Sequence, residues 1–96
     1  MATTKEYLSF ILEELSLLDN ITYKPMMGEY LLYYHGVLFG GIYDDRLLLK
    51  IVDGNKKYHL EENLPYEGAK TMYLVDDVDN KETLKDMVID TYNDLK

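Results

Sequence analysis

The chain has no cysteine. Disulfides, thiol nucleophiles and cysteine-ligated zinc or iron–sulfur centres are therefore outside its chemistry. Serine is nearly as scarce. Ser9 and Ser16 are the only two, both on one predicted helix, and neither sits in a G-x-S-x-G elbow. Gly40-Gly41 lies inside a strand-like run with no Lys-Ser or helix start after it, so a phosphate-cradling loop is missing too. No apolar run approaches the roughly 20 residues of a membrane-spanning helix. The N-terminus lacks the basic start and apolar stretch of a secretory signal. The expectation is a cytoplasmic protein with no membrane attachment.

Positive charge is also short. Ten Lys and Arg stand against 18 Asp and Glu, for a net charge of -8. Up to Val52 there are seven acids and four bases, and beyond it eleven and six. Neither part offers the cationic stripe that displaces counterions from phosphate. Direct nucleic-acid binding is not expected, and the same field repels anionic membranes.

What is there suffices for one small domain over residues 1–96, with 47% hydrophobic residues and a single two-layer core. Thr3 followed by Glu6 predicts a capping box at the start of a helix. Leu8, Ile11, Leu12, Leu15 and Leu18 then recur at helical spacing. Tyr7, Phe10 and Leu17 widen that apolar surface, as a broad core contact or a partner contact would. Asp19-Asn20 stops the helix, with Asn20 suited to a left-handed conformation.

The middle of the chain reads as β-strands over Ile21–Met27, Tyr30–Tyr34, Val37–Tyr43 and Arg46–Val52, an antiparallel meander. Gly28, His35-Gly36 and Asp44-Asp45 supply the turns. Strict alternation puts Leu31, Tyr33, Leu38, Gly40, Ile42, Leu47, Leu49 and Ile51 on one face, the expected core. The other face collects Tyr30, Leu32, Tyr34, Val37, Phe39, Gly41, Tyr43 and Leu48, with Arg46 and Lys50 among them. Such a face is too apolar to stand in water. Tyr30, Leu32, Tyr34, Phe39, Tyr43, Arg46, Leu48 and Lys50 are thus the candidate interaction face, covered by the C-terminal part of the chain, a second copy or another protein. A bulge in the third strand would shift these pairings. Lys56 to Asn63 fits helix or strand. Pro65 to Gly68 is a connector, and Thr71–Val75 a last strand. Asp79 with Glu82 predicts the cap of a final helix carrying Leu84, Met87, Val88, Tyr92 and Leu95. The fold class is α+β: two layers, a meander of four to five strands, and one helix at each end of the chain.

Candidate chemistry is thin. Asp76, Asp77 and Asp79 suggest a calcium loop, but from Asp77 the sixth position is Glu82 and the twelfth Val88, which breaks the pattern. Asp44-Asp45-Arg46 in a hairpin turn points to water, not to a cleft that splits pKa values. His35 and His59 have no helical ligand spacing to a second donor. No catalytic residue, metal or cofactor is expected.

One resemblance is carried by order and spacing. Met26-Met27-Gly28, then Leu32-Tyr33, Gly36, Asp44-Asp45 and Leu48 to Lys50, with Tyr66 and Gly68 before the last strand, resemble the TfoX/Sxy family N-terminal domain. The matching motif residues are Met26, Met27, Gly28, Tyr33, Gly36, Asp45, Lys50, Tyr66 and Gly68. The resemblance implies an α+β regulatory domain of bacteria, in a family that controls competence genes alongside a cyclic-AMP-dependent transcription factor. Longer members add a helical C-terminal domain, so a stand-alone first domain is expected. No catalytic residues are implied. The leading expectation is a non-enzymatic regulatory or adaptor domain whose partner is a protein, a transcription factor being one candidate, or a second copy in a homodimer. The alternative is a small-molecule binder with a pocket near residues 56–72, lined by Tyr58, Tyr66 and Met72.

Overall fold

The computed structural model describes residues 2–96. Thr4, not Thr3, caps helix α1 (Lys5–Glu14), its hydroxyl accepting the Tyr7 amide at 3.1 Å. Thr3 is buried instead. Its hydroxyl donates to the Glu29 carboxylate at 2.7 Å and accepts the Asp45 amide at 3.3 Å, so it ties two hairpin turns together. That long-range role outweighs the local capping pattern. Regular helix stops at Glu14, and Asn20 takes the expected left-handed conformation after an irregular turn.

Four strands follow as a meander: β1 (Ile21–Met26), β2 (Glu29–Tyr34), β3 (Val37–Ile42) and β4 (Leu47–Leu49). Their turn pairs are Met27-Gly28, His35-Gly36 and Asp44-Asp45, and all six residues have positive φ. Type I′ hairpins require this, and Gly, Asn, Asp and His tolerate it best. Lys56–Asn63 is neither all helix nor all strand. A 3₁₀ turn over Asp53–Tyr58 precedes a short strand, β5 (Glu61–Asn63). The last strand, β6 (Met72–Leu74), inserts between β4 and β5, giving the order β1-β2-β3-β4-β6-β5, antiparallel throughout. The strand beyond the expected five is β5, whose Glu-Glu-Asn sequence carries no hydrophobic alternation. Helix α2 (Lys81–Leu95) is capped by Asn80 rather than Asp79, through the Thr83 amide at 3.1 Å.

Both helices pack on one side of the sheet. Leu8, Ile11, Leu15 and Leu18 from the α1 region and Leu84, Met87 and Val88 from α2 meet Leu32, Phe39, Ile42, Leu47 and Leu49. Tyr30 and Tyr34 pack against the same cluster, and the Tyr34 ring lies edge-on to Tyr92 of α2 at 4.9 Å.

A β-bulge decides which residues are in that core. Leu32 pairs with Gly40 but Tyr33 pairs with Leu38, leaving Phe39 as the extra residue. Phe39 stays on the helix side, and the alternation beyond it is reversed. Ile42, Leu47 and Leu49 therefore join Tyr30, Leu32 and Tyr34. Leu31, Tyr33 and Leu38, half-buried, fall on the opposite side. The expected core face is corrected accordingly: Ile42, Leu47 and Leu49 are core, whereas Leu31, Tyr33 and Leu38 before the bulge and Ile51 beyond β4 are not.

Gly40 makes the bulge possible. A Cβ there would overlap the Leu48 carbonyl oxygen and lie 3.1 Å from the Leu49 Cα, both backbone. Backbone cannot swing aside as a side-chain end can. Gly40→Ala should cost about 2 kcal/mol or more in urea unfolding, at the upper part of the range for overpacking. A cost under about 0.5 kcal/mol would mean that β3 and β4 are not so closely apposed.

Candidate cleft on the open side of the sheet

The side of the sheet away from the helices is not flat. Arg46 leaves the β3–β4 turn and reaches across to the segment after β5. Its Nε donates to the Tyr43 carbonyl at 3.1 Å. One terminal nitrogen donates to Asn63 Oδ1 and the Leu64 carbonyl, both at 3.1 Å, and the other to the Pro65 carbonyl at 3.5 Å. The planar guanidinium fork suits such multiple acceptors as a lysine would not. It holds the connector over the sheet, so that Pro65, Tyr66, Ala69 and Lys70 form one wall of a cleft of about 740 Å³. Leu38, Tyr43, Lys50 and Ile51 supply the sheet side, with Thr71 and Met72 leading into β6. Gly40 and the bulge help define the cleft, because the local bend re-aims Leu38 relative to Lys50.

Tyr43 lies at the back, almost wholly buried, with its ring across Gly41 and 6.2 Å from the Tyr66 ring. Burial pushes its phenol above the ordinary tyrosine value, and the neighbouring Tyr66 adds to the shift. It stays neutral at any physiological pH. Lys50 is half-buried and Lys70 exposed. Among the described residues, neither takes part in an ion pair or a side-chain hydrogen bond. Lys56, Lys57 and Lys81, by contrast, are paired with Asp53, Asp90 and Glu13.

The candidate interaction face is divided by the bulge. Leu32 and Phe39 are fully buried under the helices, and Tyr30 and Tyr34 pack beside them. The cover is the chain itself, so these four residues are not a contact surface. Tyr43, Leu48 and Lys50 are on the other side, with Leu48 fully buried. Arg46 is a clamp rather than a contact residue. Of the residues expected around a pocket near 56–72, Tyr66 and Met72 line the cleft. Tyr58 does not. Its hydroxyl donates to Asp90 on α2 at 2.6 Å. Burial, then the hydrogen bond to Asp90, pushes the Tyr58 phenol far up, and that hydrogen bond together with Lys57 holds the Asp90 carboxyl below its usual range.

Removing the clamp should loosen the wall. Arg46→Ala is expected to destabilise by about 1–3 kcal/mol, the range for hydrogen bonds from a charged group. Amide exchange at Ala69, now bonded to the Tyr66 carbonyl at 3.2 Å, should speed up more than exchange in β2. Equal acceleration in both would show that Arg46 supports the whole fold and not the connector.

Comparison with known proteins adds an identity to this geometry. The model of the TfoX N-terminal domain matches residues 13–94. The chain belongs to the TfoX N-terminal domain family. An uncharacterized 12.7 kDa protein in the trpE 5' region of Spirochaeta aurantia is 32% identical over 80 residues, covering 81% of this chain and 70% of that protein. No solved structure matches the chain.

The TfoX motif residues fall into two groups. Met27, Gly28, Gly36 and Asp45 occupy left-handed turn positions, and the Asp45 carboxylate also accepts the Thr4 amide at 2.9 Å. Gly68 has positive φ inside the connector. Tyr33, Lys50 and Tyr66 lie on the open side, Lys50 and Tyr66 within the cleft. Met26 ends β1, and Met27 is 97% exposed at the tip of its turn, so neither forms core. Sequence reasoning passed over Leu38, Ile51, Lys70 and Thr71, because the connector that brings them together has no periodicity. Among the described residues, no helix is long and apolar enough to cross a membrane.

Proposed function

We propose that this TfoX N-terminal domain is a non-enzymatic regulatory module, in the line of the competence regulators, that acts by binding a partner protein on the open side of its sheet. One observation carries the reading. Both helices pack on the same side, and the other side presents Leu31, Tyr33 and Leu38 with no helix packed on it among the described residues. An antiparallel sheet with one solvated face normally alternates to polar side chains there. Aromatic and aliphatic residues beside a lysine match the composition of contact surfaces better. Lys24, which pairs with Leu31, lies on this side too.

The test is capture by cross-linking in the native cell, followed by transcription of the genes under the partner's control. Leu31→Glu and Tyr33→Ser, each expected to cost about 1–2 kcal/mol, should stay folded, and both should lose the captured partner and the transcriptional effect. Phe10→Glu, on the exposed back of α1, should retain them. Retention by the sheet variants, or loss with Phe10→Glu alone, would refute the open side as the contact. A captured second copy of this chain would refute the foreign partner.

A further inference from the structure

The lining of the cleft has a composition that the rest of the chain does not. The sequence carries 18 acidic residues, yet among the described residues no Asp or Glu lines the cleft, and two of its ten basic residues do. Among the described residues those two, Lys50 and Lys70, have no ion-pair partner, whereas Lys56, Lys57 and Lys81 are paired with acids. Around them are Leu38, Ile51, Tyr66 and Met72, and the volume of about 740 Å³ is that of a small-molecule site. The field of a chain with net charge -8 repels anions generally, so a local pair of uncompensated cations on an apolar floor is selective by contrast.

We propose that the cleft is a binding site for a small organic anion. Lys50 and Lys70 hold a carboxylate or phosphate group, and Leu38, Met72 and the Tyr66 ring take a flat apolar body. Half-burial of Lys50 matters here. The residue is partly enclosed by the cleft, so an anion beside it gains more than at a fully exposed lysine. Tyr66 is 57% exposed on the outer wall, free to cover a ligand without disturbing the core. Arg46 acts as a positioning residue, because it fixes the wall through carbonyl groups and keeps its own charge off the ligand. The site shares Leu38 with the protein-contact surface, but the two readings are tested at different positions, Lys50 and Lys70 here and Leu31 and Tyr33 there. Ligand binding can be lost with partner capture intact, and the reverse.

The experiment is an amide NMR titration of the full chain with two anionic probes, indole-3-acetate and adenosine monophosphate. Their neutral counterparts are indole-3-acetamide and adenosine. At least one anionic probe should shift the Leu38, Lys50, Tyr66 and Met72 amides saturably, with Kd below about 10 mM. The neutral counterpart should bind about tenfold more weakly or worse, and raised salt should weaken the anion alone. Which anion wins distinguishes carboxylate from phosphate. Lys50→Gln with Lys70→Gln should raise the Kd of that anion about tenfold and leave the neutral counterpart unchanged, a difference of about 1.4 kcal/mol. Both positions are at the surface or half-buried, so the double variant should fold. No saturable shift with either anion overturns the proposal. So does equal binding of the neutral probe, an unchanged Kd in the double variant, or shifts that map elsewhere.

Discussion

Phe39→Asp should leave the domain unfolded at neutral pH, while Leu38→Asp, one residue earlier, should leave it folded. Phe39 is fully buried against both helices, and truncating a buried Phe to Ala costs about 3–5 kcal/mol. A carboxylate in its place adds the penalty of a charge with no partner, several kcal/mol more. Small domains have only about 5–15 kcal/mol in total, so little native protein should remain. Leu38 is half-buried at the cleft, open to water, and its replacement should cost about 1–2 kcal/mol. Circular dichroism with urea titration reads both variants, and Phe39→Ala supplies a value should Phe39→Asp fail to express. Comparable stability for the two Asp variants would mean that Phe39 is no more enclosed by the helices than Leu38 is.

That pair of neighbours also marks where the sequence stopped being legible. The turns could be read from local chemistry. His35-Gly36 and Asp44-Asp45 tolerate left-handed backbone, and the structure puts them there. The helices could be read from 3.6-residue spacing, to within one residue at each N-cap, although the first ends at Glu14, several residues before the expected Asp19-Asn20 stop. Both cap misassignments have a tertiary cause or a near-equivalent neighbour: Thr3 is drawn away by Glu29 and Asp45, and Asn80 serves in place of Asp79. The sheet faces could not be read, because period-two alternation carries no memory of an inserted residue. One bulge at Phe39 exchanged the faces of everything before it relative to everything after it. Gly40 was visible as an oddity within a strand. That it abuts the Leu48 carbonyl depends on β4 lying beside it, which is not local information.

The candidate cleft was legible only in outline. Tyr66 and Met72 were expected near a pocket and line it. Tyr58 is two elements away in function, because a phenol next to an acidic helix finds Asp90 first. Arg46 looked like an edge cation on an apolar face. Its role depends on carbonyls 18 and 19 residues later, in a segment whose path no periodicity announces. The consequence is physical. Sequence shows three basic residues; which one stabilises a wall and which two face the space behind it depends on what lies within 3.5 Å.

Asn55 shows the same limit for a buried polar group, and its removal is the second large effect. In sequence, Asp53-Gly54-Asn55 has only the composition of a turn. In the structure Asn55 has no exposed surface. Its Nδ2 donates to the Lys50 carbonyl and to Thr91 Oγ1, both at 2.8 Å, and its Oδ1 accepts the Val52 amide at 3.2 Å. Thr91 Oγ1 donates onward to the Met87 carbonyl at 2.8 Å. One side chain thus joins the end of β4 to the middle of α2. Asn55→Ala leaves the half-buried Lys50 carbonyl and Val52 amide without this partner, at about 1–3 kcal/mol each, so a total loss of about 2–4 kcal/mol is expected in urea unfolding. Asn55→Asp tests the mechanism. It keeps the size and the acceptor for Val52, but at neutral pH it sets a carboxylate against the Lys50 carbonyl and the Thr91 hydroxyl oxygen. Its folded-state pKa must then lie above the unfolded value. Stability is recovered as pH falls below that raised pKa and is lost as pH rises through it. Measured against wild type at each pH, the deficit of Asn55→Asp should therefore shrink between pH ~7 and ~4.5, while that of Asn55→Ala should stay constant. Two flat, equal deficits would mean that the amide donor does not hold Lys50 and Thr91 together, and that the 3₁₀ turn is anchored to α2 by the Gly54–Asp94 bond instead.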